Sequence, residues 1–226
     1  MNSILKKSFK ASIPVMAGYI VLGSGFGILM VSKGFGSIWA ILMSLVIYAG
    51  SMQFLAINLI TSGATLLSAG LTALMVNARH LFYGITMSQK YKNAGKYKPY
   101  MIFALTDETY SIVCTTSDTI GDNTYSFYVS LFNHIYWVTG TVIGCVIGNI
   151  FTFNTMGIDF ALTALFVTVF CEQWLTQRNH SYAICGVLVS VLCLVLFKPS
   201  GFLIPAMAGI IAVLTILKPK GDNKNE

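Results

Sequence analysis

The stretch GFGSIWAILMSLVIYAGSMQFLAINLITSGATLLSAGLTALMVNA, residues 34–78, contains no Asp, Glu, Lys or Arg. Its 45 residues exceed twice the roughly 20 that a helix needs to cross hydrocarbon. It therefore reads as two passes joined at Thr61-Ser62-Gly63, an uncharged connection that suits a tight hairpin or a re-entrant turn. Working outward, further charge-free stretches occupy 11–32, 123–158, 179–197 and 199–217. Composition agrees, with 55% of residues hydrophobic and 10% charged, where soluble domains carry about a quarter charged. The predicted fold class is an all-α integral membrane protein of about seven to eight membrane segments. They lie near 13–32, 38–61, 64–88, 99–117, 125–150, 160–177, 181–197 and 202–217, in a single transmembrane domain spanning 1–226.

The basic residues flank these spans. Lys6, Lys7 and Lys10 precede the first, Lys90, Lys92, Lys96 and Lys98 fill the loop after the third, and Lys218, Lys220 and Lys224 follow the last. Such blocks read as membrane-flanking anchors, and the four lysines within 90–98 predict that this loop faces the cytoplasm. Eight full crossings from a cytoplasmic N-terminus place the loop outside, and seven place the C-terminal lysines outside. Discontinuous or re-entrant helices reconcile both blocks. The net charge of +6 does not point to nucleic acid, because no basic stripe with interleaved aromatics occurs in a polar segment.

Other chemistries find little support. Cys114, Cys145, Cys171, Cys185 and Cys193 lie in apolar surroundings without a paired spacing or a nearby histidine ligand. They read as packing residues, and neither a metal site nor a disulfide framework is expected. The glycine cluster Gly23-x-Gly25-x-Gly27 lacks the lysine of a nucleotide-binding loop, and no cofactor is expected. The basic start followed by an apolar run resembles a signal peptide, yet 11–32 is longer than such a core and reads as a retained first helix.

Of the 22 formally charged residues, only Arg79, Asp107, Glu108 and Glu172 fall well inside apolar spans. A charge there costs a few kcal/mol or more unless paired or hydrated. Arg79 precedes the lysine loop by about ten residues and Asp107 follows it by about nine, so at 1.5 Å per residue both lie roughly 13–15 Å from the same membrane face. An antiparallel hairpin brings them together, either as a static ion pair or as a pair that opens to hold substrate or a proton. Asn77, His80 and Tyr83 on the third span, and Thr106, Thr109, Tyr110 and Ser111 on the fourth, occupy the same levels. His80 beside an intramembrane arginine is a candidate proton relay. Tyr48, Gly50, Ser51, Gln53 and Asn58 on the second span and Asn133 and His134 on the fifth either bond helices together or line a wet cavity. Glu172, six residues before Arg178, is equally a residue whose head reaches the interface.

Four ordered motifs carry a resemblance. Gly23-Ser24-Gly25-Phe26-Gly27, Tyr48-Ala49-Gly50-Ser51-Met52-Gln53-Phe54, Asn77-Ala78-Arg79-His80-Leu81-Phe82-Tyr83-Gly84 and Leu105-Thr106-Asp107-Glu108-Thr109-Tyr110 together resemble the AzlC family of branched-chain amino acid permeases. Gly157–Phe166 fits as well, whereas the last 50 or so residues match only in hydropathy. The resemblance implies the large subunit of a two-component exporter in a bacterial inner membrane, paired with a small AzlD-type membrane subunit. Met52, where a small residue is more usual, and the long lysine loop depart from the family pattern.

An amino acid substrate presents a carboxylate, an ammonium group and, here, an aliphatic side chain. The carboxylate is expected at Arg79 or at backbone N–H groups of a broken helix around Gly23–Gly27, with Gly25 at its centre. The ammonium is expected at Asp107 or Glu108, the other carboxylate exchanging a coupling proton. Asn77, His80 and Gln53 complete the expected binding or coupling set. Two other classes stay open: a membrane enzyme using His80, Asp107 and Glu108 on a lipid-like substrate, and an assembly subunit whose buried charges are structural.

Overall fold

The computed structural model describes residues 2–114, 123–151, 160, 163–164, 167, 170–171, 174–175 and 180–217. These residues are helical, with no strand among them, and fall into two compact units, Met1–Thr163 and Ala164–Glu226.

The first unit is built on two long helices, α1 (Asn2–Ser32) and α8 (Asn123–Ile150). Among the described residues these two are long and apolar enough to cross a membrane; at 1.5 Å per residue they measure roughly 46 and 42 Å. They lie backbone against backbone along a seam of small residues. A Cβ added at Gly23 would stand 2.8 Å from the carbonyl oxygen of Trp137, and one at Gly140 would stand 2.8 Å from those of Tyr19 and Ile20. At Gly27 and Gly144 it would meet the backbones of Thr141 and Ser24. Hydrogen bonds close the seam, from Ser24 Oγ to the Gly140 carbonyl at 3.1 Å and between Ser12 Oγ and the Tyr136 hydroxyl at 3.1 Å. Small residues at four-residue spacing permit this approach where lipid gives no hydrophobic drive for helices to associate.

Between the long helices the chain forms three pairs of shorter ones: α2 (Ser37–Val46) with α3 (Gly50–Thr61), α4 (Leu66–Val76) with α5 (Ala78–Lys90), and α6 (Lys98–Phe103) with α7 (Asp107–Cys114). Each pair lies in one of the expected segments, so the helix is interrupted within 38–61, within 64–88 and, over the described residues, within 99–114. Halves of 10 and 12 residues, as in α2 and α3, measure roughly 15 and 18 Å, about half a bilayer each.

Each break has a local cause. At the first, Tyr48 adopts φ 43°, the left-handed region costly for an aromatic residue. Gly50 follows because a Cβ there would stand 2.7 Å from the Trp137 ring. At the second, Asn77 ends α4 and starts α5 with φ −92° and ψ 3°. At the third, Thr106 caps α7, its Oγ1 accepting the Thr109 N–H at 3.3 Å. Asp107 and Glu108 then occupy the first turn, where the helix dipole favours negative charge. The connection at Thr61-Ser62-Gly63 is the expected tight turn, with Gly63 at φ 66°.

Two expectations are corrected. α1 runs unbroken through Gly23–Gly27, so no backbone N–H is freed there for a substrate carboxylate; the glycines serve close approach to α8 instead. In the second unit, α9 (Ser181–Gly201) continues past 197, the expected end of its segment, and stops at Phe202 before α10 (Leu203–Leu217). A Cβ at Gly209 would stand 3.0 Å from Val189 Cγ1, which brings α10 close against α9. Most of the expected segment 160–177, Glu172 included, lies outside the described residues.

Candidate functional site

The three breaks in the first unit supply the charged site. Arg79, in the first turn of α5, forms an ion pair from Nη1 to Asp107 Oδ2 in the first turn of α7. Its Nη2 donates to Ser51 Oγ in the first turn of α3 at 2.9 Å. One guanidinium thus joins the starts of three half-helices. The Arg79 and Asp107 side chains keep 30% and 20% of their surface exposed, so the pair remains open to approach. Asp107 Oδ1 and Asn77 Oδ1 are buried and have no hydrogen-bond partner among the described residues. Both are acceptors, and an unpaired buried acceptor costs free energy until a donor meets it.

Glu108 points elsewhere. Its Oε2 lies 2.6 Å from the Tyr19 hydroxyl of α1, which also lies 2.7 Å from Thr106 Oγ1. Thr106 Oγ1 donates to Thr109 Oγ1 at 3.0 Å, and Asn133 Nδ2 of α8 donates to the same Thr109 oxygen at 3.0 Å. Adjacent helical residues diverge by about 100°, which is why neighbouring carboxylates serve separate networks.

His80 sits beside the second break with Nδ1 3.3 Å from the Asn77 carbonyl oxygen. That oxygen only accepts, so Nδ1 carries the proton in this contact. The ring stands edge-on to Tyr83, centroids 6.0 Å apart, and Tyr83 stacks on Tyr110 at 4.4 Å. No described hydrogen bond links His80 to the Arg79–Asp107 pair.

Gln53 belongs to a second network, fully buried beneath the first break. Its Nε2 donates to Ser44 Oγ at 3.0 Å and its Oε1 accepts from Trp137 Nε1 at 2.9 Å. Ser44 Oγ lies 2.8 Å from Thr141 Oγ1. His134 joins the same layer, with Nε2 3.2 Å from the Ser44 carbonyl and Nδ1 3.0 Å from the Tyr100 hydroxyl. Gly25 is half-buried on the continuous α1. The structure thus gathers Arg79, Asp107 and Ser51 into one cluster and Glu108, Tyr19, Thr106, Thr109 and Asn133 into a second, with Gln53 in a third.

Sequence reasoning missed Tyr19. A phenol four residues before Gly23, in a span otherwise almost free of polar side chains larger than serine, was its signal. Ser44, Trp137 and Thr141 were also missed, being ordinary residues of apolar helices until Gln53 meets them.

These half-helices and both long helices lie within or overlap residues 14–151, which match the family described as AzlC protein, more than half of the chain. The chain belongs to the AzlC family. It is 45% identical over 215 residues to the branched-chain amino acid transport protein AzlC of Bacillus subtilis, covering 94% of this chain and 85% of that protein. It is 38% identical over 224 residues to a Haemophilus influenzae protein named an uncharacterized membrane protein, covering 98% and 92%. It is 28% identical over 194 residues to the inner membrane protein YgaZ of Escherichia coli, covering 81% and 78%. No solved structure matches the chain. Three of the four motifs first read as AzlC-like contain the breaks, at Tyr48, Asn77 and Thr106, and the fourth, Gly23–Gly27, lies on the continuous α1.

Proposed function

We propose that this AzlC-family chain is a multi-pass secondary transporter of a bacterial cytoplasmic membrane, with seven or eight membrane segments, that exports branched-chain amino acids. It acts as the large subunit of a pair with a small AzlD-type membrane subunit and uses a proton as coupling ion. The observation that carries this reading is the Arg79–Asp107 pair, held where three discontinuous helices start and left partly open.

An amino acid zwitterion carries the same two charges as that pair. It enters by exchanging one set of contacts for two: its carboxylate takes the Arg79 guanidinium, and its ammonium group takes Asp107. The unpaired Oδ1 acceptors of Asp107 and Asn77 suit an ammonium group with three donors. Exchange of like contacts keeps neither charge stranded in low dielectric, so binding escapes most of the desolvation penalty of an isolated ion. The stacked rings of Tyr83 and Tyr110 offer an apolar wall for the aliphatic side chain. The Bacillus subtilis relative is named a branched-chain amino acid transport protein, which supports the substrate class.

The test is efflux from proteoliposomes holding the purified chain, with and without the small subunit, preloaded with labelled leucine, isoleucine or valine. Efflux that needs both chains and is lost on Arg79→Ala supports the reading. No efflux of any branched-chain amino acid with both chains present would refute it.

A further inference from the structure

The seam between the two long helices is a ruler of depth for every shorter helix of the first unit. α1 and α8 run parallel: Ser8 Oγ donates to the Tyr125 carbonyl at 3.3 Å, Ser24 Oγ donates to the Gly140 carbonyl at 3.1 Å, and a Cβ at Gly148 would stand 3.2 Å from Ile28 Cα. Residue numbers on both helices therefore rise together, from an end marked by Ser8 and Tyr125 to an end marked by Ile28 and Gly148.

The α2–α3 pair starts and finishes at the second end. Asn149 Nδ2 donates to Ser37 Oγ at 2.9 Å where α2 begins. At the break the Tyr48 ring lies 4.2 Å from that of His134, and Gly50 abuts the Trp137 ring, halfway along α8. α3 then turns back: Phe54 packs edge-on against Phe26 at 5.7 Å, and Ile57 is buried in the cluster that holds Leu29 and Met30. The α6–α7 pair does the reverse from the first end. Tyr97, just before α6, lies 4.5 Å from Phe127, and Phe103 lies 5.9 Å from His134. On the return, Val113 is buried with Tyr125 and Val129, and its carbonyl accepts from Lys90 Nζ at 2.7 Å. The α4–α5 pair instead runs from the turn after α3, through the break at Asn77, to the Tyr125 cluster, which it joins through Met87. The two returning pairs meet tip to tip, with the Tyr48 and Phe103 rings 6.2 Å apart. Arg79 holds both tips, donating to Ser51 at the start of α3 and pairing with Asp107 at the start of α7.

We propose that α2–α3 and α6–α7 are re-entrant hairpins that enter from opposite faces of the membrane, that each shuts the Arg79 site from its own face, and that Arg79 is the latch common to both. Ser51 is a positioning residue, acting through Arg79 to hold the α2–α3 gate closed. The inference rests on the transport reading and deepens it. A zwitterion that reaches Arg79 from the lysine-loop face displaces Asp107 while Ser51 keeps the opposite gate shut. Its departure to the other face releases Ser51 while Asp107 regains the guanidinium. A cation that keeps one latch while giving up the other opens the site to one face at a time, which is what alternating access requires. The same arrangement places Lys6, Lys7 and Lys10 at the face of the lysine loop, since Ile4 packs against the cluster of Met87, Tyr91 and Tyr125. Both lysine blocks then share one face, in keeping with the positive-inside trend.

Labelling of introduced cysteines by a thiol reagent that does not cross the membrane tests both parts, in intact cells and in inside-out vesicles, with the signal taken above that of the unmodified chain. Lys33, Ser62 and Asn93 are exposed. Lys33→Cys and Ser62→Cys react from one face and Asn93→Cys from the other. Reaction of Lys33→Cys and Ser62→Cys from opposite faces would mean that α2–α3 crosses, and would overturn the hairpins. For the gates the reporter is Ala78→Cys, half-buried beside Arg79. Ser51→Ala speeds its labelling from the Ser62 face, and Asp107→Asn speeds it from the Asn93 face. Each rise is about tenfold or more, the equilibrium factor of one hydrogen bond to a charged group. No rise, or an equal rise from both faces, would overturn the latches. Labelling of Lys33→Cys and Ser62→Cys in each background checks that the hairpins stay inserted, and Ser51→Ala decides alone if Asp107→Asn does not insert. Labelling needs no substrate, so vesicles that move no leucine but show the face-specific rises would count against the transport reading and leave the hairpins standing.

Discussion

Replacing Gly140 by alanine tests whether the α1–α8 seam is the mechanical frame of the first unit. The new Cβ would stand 2.8 Å from the carbonyl oxygens of both Tyr19 and Ile20, against 3.4 Å or more for ordinary contact. The shortfall of about 0.6 Å falls between two helix backbones, neither of which has a rotamer to yield, so the helices must part. A separation of half to one ångström forfeits about a quarter to a half of the dispersion at each contact along the seam. Overpacking in a core costs about 1–3 kcal/mol, and a clash of backbone on backbone belongs at the upper end, about 3 kcal/mol. Gly18→Ala, on α1, is the matched control on the other helix of the pair. Nothing lies within 4 Å of its Cβ position, so it gains the roughly 0.5–1 kcal/mol by which alanine exceeds glycine in a helix. Thermal unfolding in detergent reads both. For a chain of this size 1 kcal/mol corresponds to about 2–4 °C, so Gly140→Ala melts roughly 6–12 °C below wild type and Gly18→Ala at or slightly above it. A Gly140→Ala midpoint at or above that of Gly18→Ala would refute the seam.

Removing Arg79 strands Asp107: Arg79→Ala destabilises by about 3 kcal/mol and abolishes efflux, and Asp107→Asn in the same chain restores part of the stability. Additivity of the two substitutions within about 0.5 kcal/mol in a double-mutant cycle would show that the pair contributes no coupling. Gln53→Leu leaves the buried Trp137 N–H and Ser44 hydroxyl short of a partner, a loss of about 1–3 kcal/mol. It is read by unfolding together with a change in tryptophan emission, and an unchanged midpoint and spectrum would argue against the Gln53 network. The four lysines of the loop 90–98 predict that it faces the cytoplasm. The probe for it is Asn93→Cys, because Asn93 is exposed whereas Tyr91 is fully buried; labelling of Asn93→Cys by an impermeant reagent outside intact cells would reverse the orientation.

The charge-free runs settled the class of fold without any tertiary information, because hydropathy over some twenty residues is a property of the chain alone. The isolated charges Arg79, Asp107 and Glu108 were legible for the same reason: a charge in an apolar span stands out wherever it folds. Symmetric spacing about the lysine loop even gave the Arg79–Asp107 partnership, since a hairpin of helices returns equal residue counts to equal depth. The sequence did not place the breaks. Tyr48, Asn77 and Thr106 are tolerated inside helices, and only Trp137 beneath Gly50 and the Thr109 N–H above Thr106 make interruption the better solution. Nor did it separate two kinds of glycine: Gly23 and Gly27 look like a site for a substrate carboxylate until α8 fills them. Likewise the sequence left Gln53 between bonding helices together and lining a cavity until Ser44 and Trp137 take both ends of its amide. Covalent neighbours determine hydropathy and depth, but the occupant of a groove or the partner of a buried amide is set by residues some ten to more than a hundred positions away, which only the folded chain brings into contact.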